Sequence, residues 1–417
     1  MTSPLILSPE PLGAEMAGMA IRATELARAV GGEAVYAHPH APGDLGERAA
    51  AAGVVVAQPA WPLAARALRR SGARLIYDLY DPEPLEALQF LAGRRDGVRR
   101  TVTAMSLDRM VNALHDGHAF LCASERQRDL WTGALLAERL ITPAVHDADP
   151  TLGGLLAVVP FGVSDTPPTP GPGPRERFGL ADDDELVLWN GGLWDWLDAE
   201  SVIRAVAQLS PERPRLRLVF MGTSGAAQAR DAESRARELA RGLGLLGRVV
   251  RFNDGWVPYE ERGAWLLQAD CAVAAHRDHL ETRFSHRTRL LDCLWAGLPI
   301  VCTRGDELAE RIAREGLGEA VPVSDPGALA AGLARVLDAG RGSYGSRLAA
   351  AAEELRWSRV ARPLAELVSA DGPGASLGER AGRRRPRSAG LRARDAAYIA
   401  ARTALNAAGR RDWPRVR

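Results

Sequence analysis

Lysine is absent from this 417-residue sequence, so arginine supplies all 53 basic side chains against 52 acidic ones. The formal net charge of +1 argues against a protein that binds a polyanion such as a nucleic acid. Arginine without lysine is typical of a GC-rich genome, so the abundance of arginine by itself indicates no function.

Cysteine is also scarce, and long apolar runs are missing. The four cysteines lie far apart within predicted strands or helices and show no metal-ligand spacing: Cys122, Cys271, Cys293 and Cys302. They are typical of buried thiols in a reducing cytosol. The first residues lack a basic segment followed by a long apolar one, and no segment reaches the ~18 uncharged apolar residues of a membrane span. We therefore expect a cytoplasmic protein.

Length and periodicity predict two α/β domains. A chain of this length with 46% hydrophobic residues can bury two cores. Strands that alternate with helices indicate doubly wound parallel sheets. We predict strands at 5–8, 53–58, 74–78 and 118–122 in the first domain, and at 185–190, 217–222, 249–253, 271–275, 298–303 and 320–323 in the second. The predicted segments are a first domain (1–165), a proline-rich linker (166–180), a second domain (181–350), a closing helix (351–370) and a basic tail (371–417).

The most informative segment is residues 284–301, FSHRTRLLDCLWAGLPIV. If Ser285 caps a helix, it shares one face of that helix with Arg289 and Asp292, while leucines line the opposite face. Gly297 and Pro299 end the helix, and a buried strand follows. This arrangement predicts nucleotide binding at the edge of a parallel sheet. The Asp292 carboxylate would accept hydrogen bonds from ribose hydroxyls, and the start of the helix would lie near phosphate.

A second candidate site is the loop 190–198, which directly follows a predicted strand. Gly191 and Gly192 allow the backbone to approach a diphosphate closely. Trp194 and Trp196 offer flat apolar faces that suit a sugar ring or a base. We predict that this loop binds the same ligand as segment 284–301.

An acidic turn follows the predicted strand 74–78 of the first domain. Because functional side chains often lie on loops at strand ends, we predict that Asp78 and Asp81 hydrogen-bond a substrate. The alternative for Asp81 is a structural one, since an Asp before a proline such as Pro82 commonly caps a turn.

Segment 284–301 resembles the donor-site signature of retaining GT-B glycosyltransferases of family four, which ends in EAxAxGxPVV. Asp292 stands where that family's second glutamate grips the nucleotide ribose, and Phe284 replaces its first glutamate. The resemblance covers roughly residues 1–370. It implies further donor-binding positions in the glycine turn of the first helix and in an FxGxVP-like element that reads the base: Gly18, Arg22, Gly222, Asn253, Trp256 and Val257. Gly222 also closes a predicted strand, which is an alternative reason for a glycine there.

The sequence departs from that family at three further positions. Gly192 and Leu197 occupy the positions of its diphosphate-binding arginine and lysine, and Tyr80 lies nearest to its first-domain histidine. A cation or an array of donors must then stabilise the departing nucleoside diphosphate. Arg287 and Arg289 are the best local substitutes, and Arg289 is also our candidate catalytic residue; the alternative is that both arginines only solvate the surface.

The resemblance implies a GT-B fold of two Rossmann-like domains, the first for the acceptor and the second for the nucleotide-sugar. It also implies a hexosyltransferase that retains anomeric configuration and uses a nucleotide-sugar as co-substrate, with no other cofactor. No metal is expected, because no DxD element stands where a divalent ion would bridge the diphosphate. The sequence does not identify the acceptor, for which a saccharide, a lipid-linked molecule and a small molecule are the alternatives. The missing family residues leave a second interpretation, a catalytically silent sugar-nucleotide-binding subunit that supports a partner enzyme.

The tail 371–417 differs in charge from the rest of the chain. It contains twelve arginines and four acids, a surplus of eight positive charges (12 − 4). We expect disorder over 372–387 and a basic helix over 391–408 with a weak apolar side of Tyr398, Ile399 and Leu405. Anionic lipid at the inner face of the membrane is one partner for such a helix; a solvated tail is the alternative.

Overall fold

The computed structural model describes residues 3–13, 16, 18–222, 227–369 and 389–407. The chain forms two compact units, one of Met1–Pro160 with Val360–Arg417 and one of Phe161–Arg359. The second unit therefore begins a few residues before the predicted proline-rich linker. The part of the chain from Val360 onward belongs to the first unit. Among the described residues, no helix has the length and apolar content needed to cross a bilayer.

The first unit is built on a parallel sheet of six short strands. These are β1 (Leu5–Ser8), β2 (Glu33–Tyr36), β3 (Val54–Ala57), β4 (Arg74–Asp78), β5 (Ala119–Cys122) and β6 (Leu156–Val158), in the order β2-β1-β3-β4-β5-β6. The crossovers carry α1 (Gly18–Val30), α2 (Leu45–Ala52), α3 (Pro62–Ser71), α4 (Glu83–Phe90), α5 (Asp96–Asp116), α6 (Glu125–Ala137) and α7 (Pro143–Ala148). Most of its strand residues are apolar and buried, as expected for a parallel sheet covered on both faces.

The second unit contains another parallel six-stranded sheet, in the order β12-β11-β10-β7-β8-β9. Its strands are β7 (Glu185–Trp189), β8 (Leu216–Phe220), β9 (Val250–Phe252), β10 (Cys271–Ala274), β11 (Ile300–Thr303) and β12 (Gly318–Val321). Its helices are α8 (Pro174–Phe178), α9 (Ala199–Leu209), α10 (Ala227–Gly242), α11 (Arg262–Leu267), α12 (Thr288–Trp295), α13 (Glu307–Glu315), α14 (Pro326–Ala339), α15 (Gly345–Glu354) and α16 (Trp357–Val360). Two 3₁₀ turns lie at Leu280–Arg283 and Arg341–Tyr344.

The chain returns to the first unit through α17 (Arg362–Val368) and then α18 (Ala389–Ala407). The predicted basic helix is thus present, but it is not a solvated tail. Its Tyr398 ring stacks on Trp61 with a centroid distance of 5.8 Å, and Asp395 accepts hydrogen bonds of 3.1 and 3.2 Å from Asn112 of α5. The expected disorder over 372–387 and the side chain of Leu405 lie outside the described residues.

The α/β class and the parallel sheets predicted from periodicity are confirmed. All six strands of the second unit lie at the predicted positions. In the first unit the sequence analysis missed β2 and β6, each of three or four residues, and the 21-residue helix α5. Only one of the four residues of β2 is buried, and β6 has only three residues, so neither shows a clear strand pattern.

Candidate functional site

The second sheet has a point at which its strand order reverses. From β7, the chain adds β8 and β9 on one side and β10 to β12 on the other. The carboxyl ends of β7 and β10 therefore diverge into separate loops and leave a crevice, where open α/β sheets bind ligands. The loop 190–198 follows β7, and His276 follows β10, so the sequence-predicted glycine loop lies at this switch point.

Arg289 lies against the turn formed by Gly191 and Gly192, the twin-glycine turn. Its two terminal nitrogens donate to the Gly192 carbonyl at 3.3 and 3.4 Å, and the Asn190 amide donates to the Arg289 carbonyl at 2.9 Å. Gly191 has φ = +99°, a conformation that any side chain would strain. Burial and the nearby Arg287 lower the pKa of Arg289 to about 10, so its cation is under-stabilised in the absence of an anion.

Aromatic rings surround the same turn. Trp194 and Trp196 stack with a centroid distance of 5.3 Å and an interplanar angle of 4°. A Cβ atom added to Gly192 would lie 3.3 Å from the Trp256 ring, and one added to Gly222 would lie 3.6 Å from it. The two glycines thus let the half-exposed Trp256 approach the backbone closely.

Asn253 and Val257 lie on either side of this tryptophan in the chain. The side-chain amide of Asn253 donates to the Met221 carbonyl at 3.0 Å, which ties the loop after β9 to the end of β8. Val257 is buried. The structure therefore brings together the predicted positions of the loops after β7, β8 and β9.

The structure corrects the predicted start of α12. The helix begins at Thr288, and Arg287 before it has non-helical torsions (φ = −71°, ψ = 82°). Ser285 does not cap the helix, because its hydroxyl donates to the Thr282 carbonyl at 3.0 Å in the preceding 3₁₀ turn. Ser285 consequently does not share a helix face with Arg289 and Asp292.

Arg287 is neither a surface arginine nor a free cation. Its side chain is 1% exposed and pairs at 2.6 Å with Asp306, whose side chain is fully buried. It also donates to the Thr303 carbonyl at the end of β11 at 2.7 Å. Asp306 in turn caps α13 by accepting from the Ala309 amide at 3.0 Å. Arg287 therefore holds the start of α12 to the ends of two neighbouring elements.

Asp292 remains partly accessible, with 29% of its side chain exposed, and it pairs at 3.1 Å with Arg262. The Arg262 guanidinium lies 3.5 Å from the Tyr259 ring centroid and 4.6 Å from that of Trp295. Sequence analysis missed Arg262, because it comes from another helix 30 residues away and matches no motif.

In the first unit, two predicted site residues bind each other. Arg22 donates to both carboxylate oxygens of Asp78, at 2.6 and 2.9 Å, and to the carbonyls of Val159 and Pro160 at 2.9 and 3.1 Å. Their side chains are 1% and 5% exposed. This bidentate pair holds α1 to the end of β4, and both oxygens of Asp78 are already occupied. Gly18, at the start of α1, faces open space.

Asp81 lies in the wall of a cavity of about 310 Å³ at the ends of β1 and β3, where the order of the first sheet reverses. Other polar or aromatic lining residues include Glu10, Gln58, Trp61, Glu83 and Arg109. Burial raises the pKa of Glu10, and burial lowers the pKa of Arg109 to about 10 against the opposing effect of Tyr398 and Asp81. Trp61, directly before α3, and Arg109, on α5, were missed by sequence analysis, since neither belongs to a motif.

Residues 184–339 match a family model described as "Glycosyl transferases group 1". A curated protein of Catenulispora acidiphila, D-inositol 3-phosphate glycosyltransferase 2, is 29% identical over 202 residues. That alignment takes in 47% of this chain and 45% of the relative, so the chain matches less than half of the relative's length.

Solved structures are similar over far more of the chain. HepE of Anabaena in complex with UDP-glucose matches with a TM-score of 0.63 at 15% identity, over 89% of this chain and 100% of that one. WaaG, a glycosyltransferase of lipopolysaccharide biosynthesis, matches with a TM-score of 0.60 at 14% identity, over 88% and 99%. The chain has the GT-B fold. The GT-B resemblance drawn from segment 284–301 is thereby confirmed at the level of fold.

Of the two arginines that the sequence offered for the diphosphate, the structure leaves only Arg289 without a carboxylate partner among the described residues. Arg287 is committed to Asp306, whereas Arg289 has only carbonyl and aromatic contacts among the described residues. The buried ion pair of Arg287 with Asp306, which the sequence pattern did not reveal, makes the difference between them.

Proposed function

We propose that this protein is a glycosyltransferase that moves a hexose from a nucleotide-sugar to an acceptor, with retention of configuration and without a metal. The names of its relatives support the reaction class: one is an inositol phosphate glycosyltransferase, and HepE was solved with UDP-glucose. The match of residues 184–339 to group 1 glycosyltransferases supports donor binding by the second unit.

The observation that carries the proposal is the placement of Arg289 on the twin-glycine turn at the switch point of the second sheet. A nucleoside diphosphate leaves as an anion, and a preorganised cation in a partly dry crevice stabilises that charge without reorganisation. Burial and Arg287 lower the pKa of Arg289, and none of the described carboxylates pairs with it. An incoming diphosphate therefore supplies the negative charge that this cation lacks.

The remaining residues have roles that follow from their positions. Asp292, held by Arg262, is available to ribose hydroxyls, and the Trp256 ring with the backbone near Asn253 suits the base. Trp194 and Trp196 offer a flat wall for the transferred sugar. In the first unit, the cavity at the point where the strand order of the sheet reverses, with Asp81 in its wall, suits the acceptor.

The chemistry is a substitution at the anomeric carbon. The bond from that carbon to the diphosphate oxygen breaks, a bond to the acceptor hydroxyl forms on the same face, and the hydroxyl proton passes to the departing phosphate. In this scheme the protein supplies positioning and charge stabilisation rather than a side-chain base.

A panel of UDP-, GDP-, ADP- and dTDP-glucose tests the proposal. We expect one of them to bind and to be hydrolysed slowly to free sugar, both with and without EDTA. Arg289→Gln should lower the hydrolysis rate by about 100-fold, a typical effect for removal of an oxyanion-stabilising donor. Arg283→Gln, at an exposed position of the neighbouring 3₁₀ turn, is the matched control and should be unchanged.

Two results would count against the enzyme. Binding without any turnover supports the alternative of a sugar-nucleotide-binding subunit. Equal turnover by the Arg289 and Arg283 variants contradicts the assigned role of Arg289.

A further inference from the structure

We propose that His276 is a second contact for the donor diphosphate and that it takes up a proton when the diphosphate binds beside Arg289. The inference rests on the proposed function and deepens it, because it supplies a cation where the sequence lacks the family's arginine and lysine pair.

His276 is held at the centre of the switch point by its backbone. It lies two residues after the end of β10, and its backbone amide donates to the Thr303 hydroxyl at the end of β11 at 2.9 Å. It also forms an antiparallel bridge with Leu197 of the loop after β7. The residue is thus fixed between the two loops that diverge from the reversal of strand order.

The imidazole is buried without being satisfied. His276 is only 6% exposed, and its Nδ1 atom has no hydrogen-bond partner among the residues that the structure describes. Nearly all buried polar side-chain atoms in proteins find a partner, so such an atom in a ligand crevice indicates a partner that arrives with the ligand.

The charges around this ring are mainly positive. Arg287 and Arg289 face it from the start of α12. His279, in the segment that follows β10, also faces it, but burial lowers the pKa of His279 itself, so this ring is uncharged near pH 7. Burial first, and then the two arginines, lower the pKa of His276 well below its ordinary value, so the free protein holds it neutral.

The acids of the neighbouring elements are already engaged. Asp306 is paired with Arg287, and Asp198 of the loop after β7 accepts hydrogen bonds from Ser201 at 2.7 and 3.1 Å. Arg289 forms no salt bridge with a described residue. An anion is therefore the missing component of this cluster.

A bound diphosphate reverses the balance of charge at His276. Its two negative charges offset Arg289 and supply an acceptor, so they favour the imidazolium form. The pKa of His276 is then higher in the complex than in the free protein. Binding is strongest below the pKa that His276 has in the free protein, weakens as the pH rises from that pKa to the pKa of the complex, and levels off above it.

Isothermal titration calorimetry with nucleotide-sugars tests this linkage. UDP-glucose and its GDP, ADP and dTDP counterparts are suitable probes, because a diphosphate diester has no group that ionises near neutral pH. Titrations at pH 7 in HEPES and in Tris, which differ in ionisation enthalpy, give the number of protons taken up. We expect uptake of between half a proton and one proton by the unaltered protein, and an affinity that falls up to tenfold per pH unit between pH 6 and 8.

Variants of two neighbouring histidines separate this role from a structural one. His276→Gln should abolish proton uptake, flatten the pH dependence and weaken binding about tenfold at pH 7. His279→Gln is the matched control, since His279 is held by Thr282 and Glu281, and it should keep both the uptake and the affinity. Tight binding with no proton uptake would overturn the role of His276 alone. Failure of every nucleotide-sugar to bind would overturn the proposed function as well.

Discussion

Buried ion pairs separate structural arginines from ligand-facing ones at the scale of single residues. Arg22 and Arg287 are both 1% exposed and each faces a buried carboxylate, whereas Arg289 contacts carbonyl and aromatic groups. A buried charge needs a partner within the fold unless a ligand supplies one. The lack of a carboxylate partner among the residues that the structure describes is therefore what makes Arg289 a candidate for anion binding.

We predict that Asp78→Ala lowers the free energy of unfolding by about 3–5 kcal/mol, because it leaves the buried guanidinium of Arg22 without its counter-ion. Urea unfolding followed by circular dichroism measures this. Glu33→Ala is the control: its pair with Arg48 has side-chain exposures of 64% and 36%, so we expect a loss below about 1 kcal/mol. Similar losses for the two variants would contradict a structural role for Asp78.

A methyl group at Gly192 should impair donor binding more than folding. The added Cβ would lie 3.3 Å from the Trp256 ring and 3.4 Å from the Trp194 indole nitrogen, so both rings must shift. We expect Gly192→Ala to weaken nucleotide-sugar binding about tenfold by calorimetry. Gly133→Ala is the control, since its Cβ would meet nothing within 4 Å, and it should leave binding unchanged. Unchanged binding by both variants would remove Gly192 from the site.

At the scale of elements, sequence patterns predicted what depends on local periodicity and failed where distant contacts decide. The strands of the second unit could be predicted because their apolar runs are bounded by turn residues. The start of α12 could not, because Ser285 bonds to a 3₁₀ turn that has no sequence signature. Likewise, the Arg22–Asp78 pair joins residues 56 positions apart, and no pattern links them.

The contacts of helix α18 could likewise not be predicted from its sequence, and they allow a test. Its alanine-rich apolar side suggested a solvated tail, yet polar and aromatic groups pack it into the first unit: Asp395, Tyr398 and the fully buried Arg402. Asp395→Ala removes two hydrogen bonds and leaves Asn112 unsatisfied, so we expect faster amide exchange across 389–407 by mass spectrometry. Arg392→Ala, at an exposed position of the helix, should not change it. Exchange unaffected by either change would mean that the Asp395 contact does not hold the helix.

At the scale of the whole molecule, each unit has its own buried core. In the first unit it includes Leu75 and Phe120, and in the second Val187 and Phe220. Units with separate cores can unfold as separate cooperative steps. The distribution of cysteines makes this testable, because Cys122 lies in the first unit and the other three cysteines lie in the second.

All four thiols are buried, and burial raises the pKa of Cys122 and Cys302 to about 12. The native protein should therefore not react with Ellman's reagent at pH 8, because neither access nor thiolate is available. In a urea series pulsed with iodoacetamide, we expect intact mass spectra to show species with one or three labels between those with none and four. These species arise because either unit exposes its own thiols when it opens alone. Spectra that contain only unlabelled and fourfold-labelled protein would mean that the two units unfold as one cooperative body.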